Sequence, residues 1–233
     1  MLSFNDTRYI EMLSHTDMST YDMTYPYNYL IIAWYLPLLF FCQTFLRPKF
    51  KSLFITLVWF VFNIVLALYS AKVFNACNGV ITYGLNLTSE YNSSHIDTVL
   101  TFLGSKYIEL ADSFFIVFSG KKVGFLHYYH HIMTLLFTLL NYHLFTQSSI
   151  FFVWMNSFVH TIMYAYYAAS CIGIRFRYKK LITVLQISQM FGGIGFLTWN
   201  LTKENVQLPV IYPGLLMYAS YAYLFLKFYY ENY

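Results

Sequence analysis

Long apolar segments with few charges dominate this chain and fix the solvent in which it can fold. A helix needs about 20 predominantly apolar residues to cross the roughly 30 Å hydrocarbon core of a bilayer. Only 10% of the residues are charged, against about 25% in soluble domains. Seven apolar segments approach or reach the spanning length, at 27–46, 53–73, 105–119, 125–145, 150–172, 181–199 and 209–226. The sequence therefore predicts an all-α polytopic membrane protein with seven transmembrane helices in a single domain, 1–233, whose main partner is the lipid bilayer.

The placement of basic residues predicts how these helices are oriented. Short cytosolic loops are enriched in Lys and Arg, and ten of the fourteen Lys and Arg residues lie on every second loop or on the C-terminal tail. The glycosylation sequons all fall on the opposite side, at Asn5, Asn86, Asn92 and Asn200. We therefore expect a lumenal N-terminus and a cytosolic C-terminus, with 74–104 as the only long loop.

Charge and cysteine content exclude several other classes of protein. A net charge of +4 is too small to indicate a nucleic-acid partner. Cys42, Cys77 and Cys171 lie far apart and form no CxxC pair. This pattern argues against a disulfide framework and against a zinc site.

Ionisable side chains inside the predicted spans are candidates for a functional site, because such groups are costly in lipid unless they are paired or hydrated. The third segment carries Lys106, Glu109 and Asp112, with Ser113 on the same helical face as the first two. An ion pair that merely holds helices together would need only two of these three charges. The third charge favours a site over a purely structural pair, although both interpretations stay open.

The fourth segment contains a histidine box on one helical stripe. His127, His130 and His131 lie at positions i, i+3 and i+4, followed by Thr134 at i+7. A lone buried histidine is often just a satisfied core residue, but three on one stripe within five residues are much less often so. We therefore predict a site here and expect His143, which lacks such neighbours, to be structural.

The fifth and sixth segments also place polar side chains on single faces: Asn156, His160, Tyr164 and Tyr167 on the fifth, and Gln186 and Gln189 on the sixth. A stripe of aromatic residues more often packs than reacts, so His160 is the strongest candidate of this set. The two glutamines fit interhelical hydrogen bonding and a role in the site equally well.

Two basic clusters precede the fourth and sixth segments at their predicted cytosolic ends. Lys121 and Lys122 form the first cluster, and Arg175 and Lys179 belong to the second. The positive-inside rule alone accounts for both clusters. They would also form a cationic rim that suits an anionic, phosphate-bearing substrate.

Four motifs together resemble those of the very-long-chain fatty-acid elongase (ELO) family. They begin at Lys106 (KxxExxD), His127 (HxxHH), Asn156 (NSxxHxxMYxYY) and Thr183 (TxxQxxQ). The motifs occur in the order and spacing of that family over roughly residues 105–190, and four linked motifs are far more specific than an isolated HxxHH. Ser113 stands where the family usually has Thr, and the tail lacks the dilysine retrieval signal of many members.

The resemblance implies a 3-ketoacyl-CoA synthase that joins acyl-CoA and malonyl-CoA and releases carbon dioxide and CoA. It implies six helices ringed around a closed acyl cavity, with a seventh outside the ring. It also implies a location in the endoplasmic reticulum membrane, no metal and no tightly bound cofactor. The expected partners are the ketoacyl-CoA reductase, the dehydratase and the enoyl reductase of the elongation cycle, and a homodimer is compatible with the resemblance.

By the same resemblance, His130 takes the acyl group and His160 handles the second half-reaction, with His127 and His131 orienting them. A neutral imidazole can act as a nucleophile, and burial disfavours its charged form. Cavity depth should set the longest acyl chain, with rulers expected near the lumenal end of the last two segments. The implied substrate-binding residues are Lys106, Glu109, Asp112, Asn156, Tyr164, Tyr167, Gln186, Gln189, Lys121, Lys122, Arg175 and Lys179.

Two other classes of membrane protein compete with this interpretation. Membrane di-iron desaturases and hydroxylases also carry HxxHH boxes, but their several boxes need more ligands than are found here. The chain has seven histidines, of which His15 and His95 lie outside the predicted spans. A seven-span receptor or proton-coupled transporter fits the topology, but the concentration of charges on the third to fifth segments fits a receptor poorly. Many transporters have repeated halves, and none is visible here.

Overall fold

The computed structural model describes residues 18–48, 52–84, 93–144, 149–174, 179–203 and 207–233. Within these ranges all regular secondary structure is helical, with no β-strand, and it includes a π-helical segment at Cys42–Leu46. The seven α-helices are α1 (Met18–Phe41), α2 (Leu53–Gly84), α3 (Ser93–Phe118), α4 (Phe125–His143), α5 (Ser149–Cys171), α6 (Lys180–Asn200) and α7 (Leu208–Asn232). The all-α prediction is confirmed, as expected for a chain that must satisfy its backbone polar groups inside lipid.

Four helices in the described part of the chain are long and apolar enough to cross a membrane. They are the α1 region at Asn28–Leu46, α2 at Leu53–Asn78, and all of α6 and α7. The other three, α3 to α5, are the helices that carry the predicted Lys-Glu-Asp, histidine and Asn-His stripes, and these polar residues lower their hydropathy. The multi-pass membrane character is thus supported, while the count of seven spans stays a prediction.

The predicted loop at 74–104 is wrong. Helix α2 continues to Gly84 and α3 already begins at Ser93, so most of the expected loop is helical. Val99 and Phe102 in the first turns of α3 are each 1% exposed. Burial of these side chains stabilises helix in a stretch whose hydropathy alone is too low to indicate one. The sequons at Asn5, Asn86 and Asn92 lie outside the described residues.

Residues 1–45 and 46–233 form two compact units. The first contains α1, whose large apolar side chains are largely exposed, with Trp34 at 69%. In the second, the helices contact one another in the cyclic order α2, α3, α4, α7, α6, α5 and back to α2. Helix α5 also touches α3 and α4, and these contacts bring its polar face to theirs. The single-domain prediction stays a prediction.

Two glycine-terminated helices shape one end of the second unit. Gly120 after α3 and Gly173 after α5 have φ angles of +84° and +86°, a conformation that favours glycine. In both cases the next N–H reaches back five residues, from Lys121 to the Ile116 carbonyl at 3.2 Å and from Ile174 to the Ala169 carbonyl at 3.0 Å. This is the Schellman pattern. It ends both helices beside the basic clusters.

Candidate active site

A cavity of about 430 Å³ lies among helices α3 to α7 of the second unit. One end of the cavity is lined by the exposed residues Gly124, Lys179 and Tyr233. Its inner part is lined by the buried residues His131 and His160. The cavity therefore leads inwards from the end that carries the basic clusters. All four predicted catalytic histidines line it: His127, His130, His131 and His160.

The histidine rings form a compact cluster in this cavity. On α4, the ring centroids of His127 and His131 are 4.4 Å apart and those of His130 and His131 are 5.7 Å apart. His160 on α5 faces His130, with 6.3 Å between the ring centroids. Reacting atoms in a productive complex lie about 3–3.5 Å apart, so the two rings are close enough to reach one bound carbonyl group from two sides.

A buried polar network holds the His160 ring from behind. Lys106 Nζ donates to Glu109 Oε1 at 2.6 Å and to Asn156 Oδ1 at 2.8 Å. His160 Nδ1 lies 3.4 Å from both Lys106 Nζ and Glu109 Oε1. All four side chains are buried. The buried Lys-Glu pair therefore contacts the histidine that faces His130, and a role for the pair in a site stays a prediction.

Asp112 and Ser113 approach the other side of the histidine box. Trp59 on α2 donates from Nε1 to Asp112 Oδ1 at 2.9 Å. Ser113 Oγ lies 3.0 Å from His127 Nε2. Asp112, His127 and His131 each offer one ligand atom, and these atoms lie within 4.8 Å of one another. This trio has the composition and spacing to hold a divalent cation.

Helix α7 contributes contacts to the site that sequence reasoning missed. The Tyr221 hydroxyl donates to the His130 carbonyl at 2.9 Å and lies 2.9 Å from Thr134 Oγ1. The rings of Tyr221 and His130 have centroids 4.9 Å apart, and Phe225 packs edge-on against His130 at 6.1 Å. The chain contains 24 tyrosines, so no single tyrosine stood out.

The remaining predicted substrate-binding residues are distributed unevenly around the cavity. Gln186, Tyr167 and Lys179 line it, and Gln186 Nε2 lies 3.3 Å from the weakly accepting Met163 sulfur. Gln189 is buried outside the lining. Tyr164 is also buried outside the lining, and its hydroxyl has no hydrogen-bond partner in the described part of the chain.

Other predicted positions lie away from the cavity lining. Lys121 and Lys122 are exposed on the linker between α3 and α4. Arg175 lies outside the described residues. Asn200, the last residue of α6, is buried, and its Nδ2 donates to the Phe196 carbonyl at 2.8 Å, so in the folded chain this sequon nitrogen is held against its own helix.

The model of the GNS1/SUR4 (ELO) family matches residues 20–233. The chain belongs to the GNS1/SUR4 family. The match covers all of the site and both compact units apart from the first residues. The family resemblance that the four motifs indicated is therefore confirmed.

Several curated proteins are similar to this GNS1/SUR4 member. Fatty acid elongase 3 of Trypanosoma cruzi (strain CL Brener) is 39% identical over 145 residues, which cover 58% of this chain and 48% of the relative. Very long chain fatty acid elongase 6 of Mus musculus is 38% identical over 141 residues, covering 57% and 53%. Putative fatty acid elongase 4 of Caenorhabditis elegans is 34% identical over 139 residues, covering 55% and 47%. The chain thus spans about half the length of these relatives.

Proposed function

We propose that this protein is the condensing enzyme of fatty-acid elongation, which joins acyl-CoA and malonyl-CoA to give 3-ketoacyl-CoA, carbon dioxide and CoA. The observation that carries the proposal is the facing pair His130 and His160, whose ring centroids are 6.3 Å apart in a cavity with Lys179 at its mouth. The names of the curated relatives support a role in elongation.

In the first half-reaction, a neutral His130 nitrogen attacks the thioester carbonyl of acyl-CoA. The carbon–sulfur bond breaks, the proton released from the imidazole goes to the departing CoA thiolate, and the acyl group stays on the His130 ring. The Gln186 amide lines the same cavity and is bonded only weakly, to a methionine sulfur. It can turn to donate to the oxyanion that develops on the thioester.

In the second half-reaction, malonyl-CoA loses carbon dioxide and its thioester becomes an enolate. The enolate carbon attacks the acyl carbonyl, the bond to the His130 nitrogen breaks, and this nitrogen takes up a proton from water, which restores the neutral imidazole as 3-ketoacyl-CoA leaves. The enolate oxygen needs a positioned donor while it is charged. We assign this role to His160, which lies on the opposite side of the bound acyl group.

The Lys106 network supports this assignment through the tautomer of His160. An ammonium group has three donors and no acceptor, and Lys106 Nζ faces Glu109 Oε1, Asn156 Oδ1 and His160 Nδ1. If Nδ1 accepts from Lys106, the proton of a neutral ring lies on Nε2. The second ring nitrogen then donates into the cavity, towards the enolate.

The rest of the proposal concerns the cell and the membrane. Seven spans, a lumenal N-terminus and a cytosolic C-terminus would open the cavity towards cytosolic CoA substrates, with Lys179 at its mouth. No tightly bound cofactor is proposed. The reductase, dehydratase and enoyl reductase of the cycle would act on the released product in the endoplasmic reticulum membrane.

The experiment is an assay of labelled malonyl-CoA incorporation into acyl-CoA by the full chain, with wild type compared with His130→Ala. Removal of an acyl-accepting group should lower the rate by at least about 1,000-fold. His143→Ala is the matched control, because His143 lies on the same helix outside the cavity lining and should leave the rate unchanged. A His130→Ala protein that condenses at the wild-type rate contradicts the proposal.

A di-iron oxygenase is the second candidate function, because Asp112, His127 and His131 are spaced to hold a cation. Metal analysis of the same purified protein distinguishes the two. We expect condensation without stoichiometric iron. Stoichiometric iron without malonyl incorporation would favour the oxygenase. A protein that holds no iron and incorporates no malonyl carbon would favour a transporter or receptor.

A further inference from the structure

Three side chains of the kind that bind metal ions meet in the wall of the cavity. Asp112 lies on α3, and His127 and His131 lie on α4. Each offers one ligand atom, and these atoms lie within 4.8 Å of one another. All three residues line the cavity, so an ion that enters at its mouth has a route to them. We call these residues the Asp-His-His trio.

The two histidines of the trio have the spacing of a helical zinc site. His127 and His131 lie at i and i+4, with ring centroids 4.4 Å apart, and two histidines with this spacing on one helix face bind zinc in metalloproteases. Zinc takes nitrogen and oxygen ligands at about 2.0–2.2 Å, so the ligand atoms of a tetrahedral site lie about 3.5 Å apart. Small side-chain rotations would bring the ligand atoms of the trio to that separation. Three protein ligands then leave a fourth position for water.

Asp112 is a buried carboxyl group without a cationic partner among the described residues. Its side chain is 3% exposed, and its hydrogen bond comes from the neutral indole of Trp59. The neighbouring Glu109, by contrast, pairs with Lys106 at 2.6 Å. Buried charges are ordinarily paired or bound to a metal ion. A divalent cation on the trio would supply the opposite charge that Asp112 lacks.

Two further side chains hold the trio as outer partners hold the ligands of metal sites. Trp59 Nε1 donates to Asp112 Oδ1 at 2.9 Å, which leaves the second carboxylate oxygen for an ion. Ser113 Oγ lies 3.0 Å from His127 Nε2. If Nε2 donates this bond, Nδ1 of the neutral ring carries the lone pair that binds metal. Such partners fix the orientation and tautomer of metal ligands, and their loss typically costs about 10- to 100-fold in affinity.

We propose that the Asp-His-His trio is an inhibitory site for a divalent cation, zinc above all, that stops condensation while it is occupied. The inhibition rests on the proposed condensing function, whereas the binding does not. The ring of His131 adjoins that of His130, with centroids 5.7 Å apart. Attack by a neutral His130 nitrogen on a thioester leaves a positive charge on its ring until the proton departs. A doubly charged ion on the next ring raises the energy of that state.

Binding is measured on the full chain, purified without a polyhistidine tag and freed of metal with a chelator. Isothermal titration with Zn²⁺ should show one tightly bound ion per chain. Asp112→Asn keeps the size of the side chain but is a weaker ligand, so its Zn²⁺ affinity should fall at least about 100-fold. Trp59→Phe removes only an outer partner and should lower the affinity about 10- to 100-fold. His143→Ala removes a histidine outside the cavity lining and should leave the affinity unchanged.

A second binding measurement uses only the wild type, so it does not depend on how a variant folds. The X-ray absorption spectrum of the bound zinc should show two imidazole ligands together with oxygen ligands. Fewer than two imidazoles, or an Asp112→Asn protein that binds zinc as tightly as wild type, would mean adventitious binding only and overturns the site.

Inhibition is measured by the incorporation of labelled malonyl-CoA at buffered concentrations of free Zn²⁺. The wild-type rate should fall to half at the concentration that half-saturates binding, and it should return when a chelator is added. Mg²⁺ at the same concentration should have no effect, because it prefers oxygen ligands. Zinc bound at the trio with an undiminished rate overturns the inhibition. Wild type that incorporates no malonyl carbon after chelation contradicts the proposed function instead, and the binding data still decide the site.

Discussion

Lys106 and Glu109 form a buried ion pair that also touches the ring of His160. Their side chains are 3% and 1% exposed. Removing one partner leaves an uncompensated buried charge, which costs about 3–5 kcal/mol. Glu109→Gln should therefore lower the unfolding temperature sharply and abolish condensation. The double variant Lys106→Met/Glu109→Gln should recover most of the stability, because no unpaired charge remains.

Activity separates the structural role of this pair from its role at His160. In the double variant, neither the ammonium nor the carboxylate group remains beside Nδ1 of His160 to fix its tautomer, so we expect condensation to stay at least about 100-fold below wild type. Thermal unfolding and the malonyl incorporation assay measure the two effects. Glu231→Gln is the control, since its pair with Lys227 is more than half exposed and should contribute little. A stable double variant with the wild-type rate would contradict the assignment.

At the scale of single residues, the sequence predicted those parts of the site that depend on helical spacing. His127, His130 and His131 lie three or four positions apart, so any helix brings them together. Trp59 and Tyr221 could not be found in this way. Both lie in apolar, aromatic stretches, and only the packing of α2 and α7 shows that one bonds Asp112 and the other the His130 carbonyl.

Helices α4 and α7 are joined at the level of the histidine box by the Tyr221 hydroxyl. It donates to the His130 carbonyl and is positioned to accept from Thr134. Tyr221→Phe should destabilise the protein by about 1–3 kcal/mol, because two buried hydrogen bonds are lost, and should lower kcat more than it changes KM. Tyr223→Phe, on the exposed side of the same helix, is the control. An unchanged unfolding temperature for Tyr221→Phe would show that this link between the helices is unimportant.

The helices themselves were predicted unevenly. Hydropathy located one segment on each of the seven, because lipid-exposed helices are apolar over most of their length. It failed at 74–104, where α2 and α3 run well past their apolar stretches. Hydropathy measures affinity for lipid, not helicity, so helix that is buried by neighbouring helices outside the apolar stretch escapes it. The glycines after α3 and α5 were the available signals for helix ends.

For the whole molecule, the open end of the cavity and the exposed basic residues lie together, so the predicted orientation also decides which side of the membrane the cavity faces. The cavity leads inwards from the end where Lys179 is exposed and where the exposed Lys121 and Lys122 precede α4. The positive-inside rule assigns this end to the cytosol, where CoA thioesters would approach. If the orientation were reversed, the mouth of the cavity would face the lumen, so topology bears directly on the proposed function.

Two exposed lysines make this orientation measurable, because Lys203 lies just before α7 and Lys227 lies near its end. Helix α7 has 25 residues, about 37 Å at 1.5 Å per residue, which is enough to cross the bilayer. With Cys42, Cys77 and Cys171 replaced by alanine, Lys227→Cys should react with an impermeant maleimide in sealed microsomes. Lys203→Cys, before α7, should react only after the microsomes are permeabilised. Lys180→Cys at the start of α6 is the control and should behave like Lys227→Cys.

Equal labelling of the variants at 203 and 227 in sealed microsomes would mean that α7 does not cross the membrane, and would contradict the predicted topology.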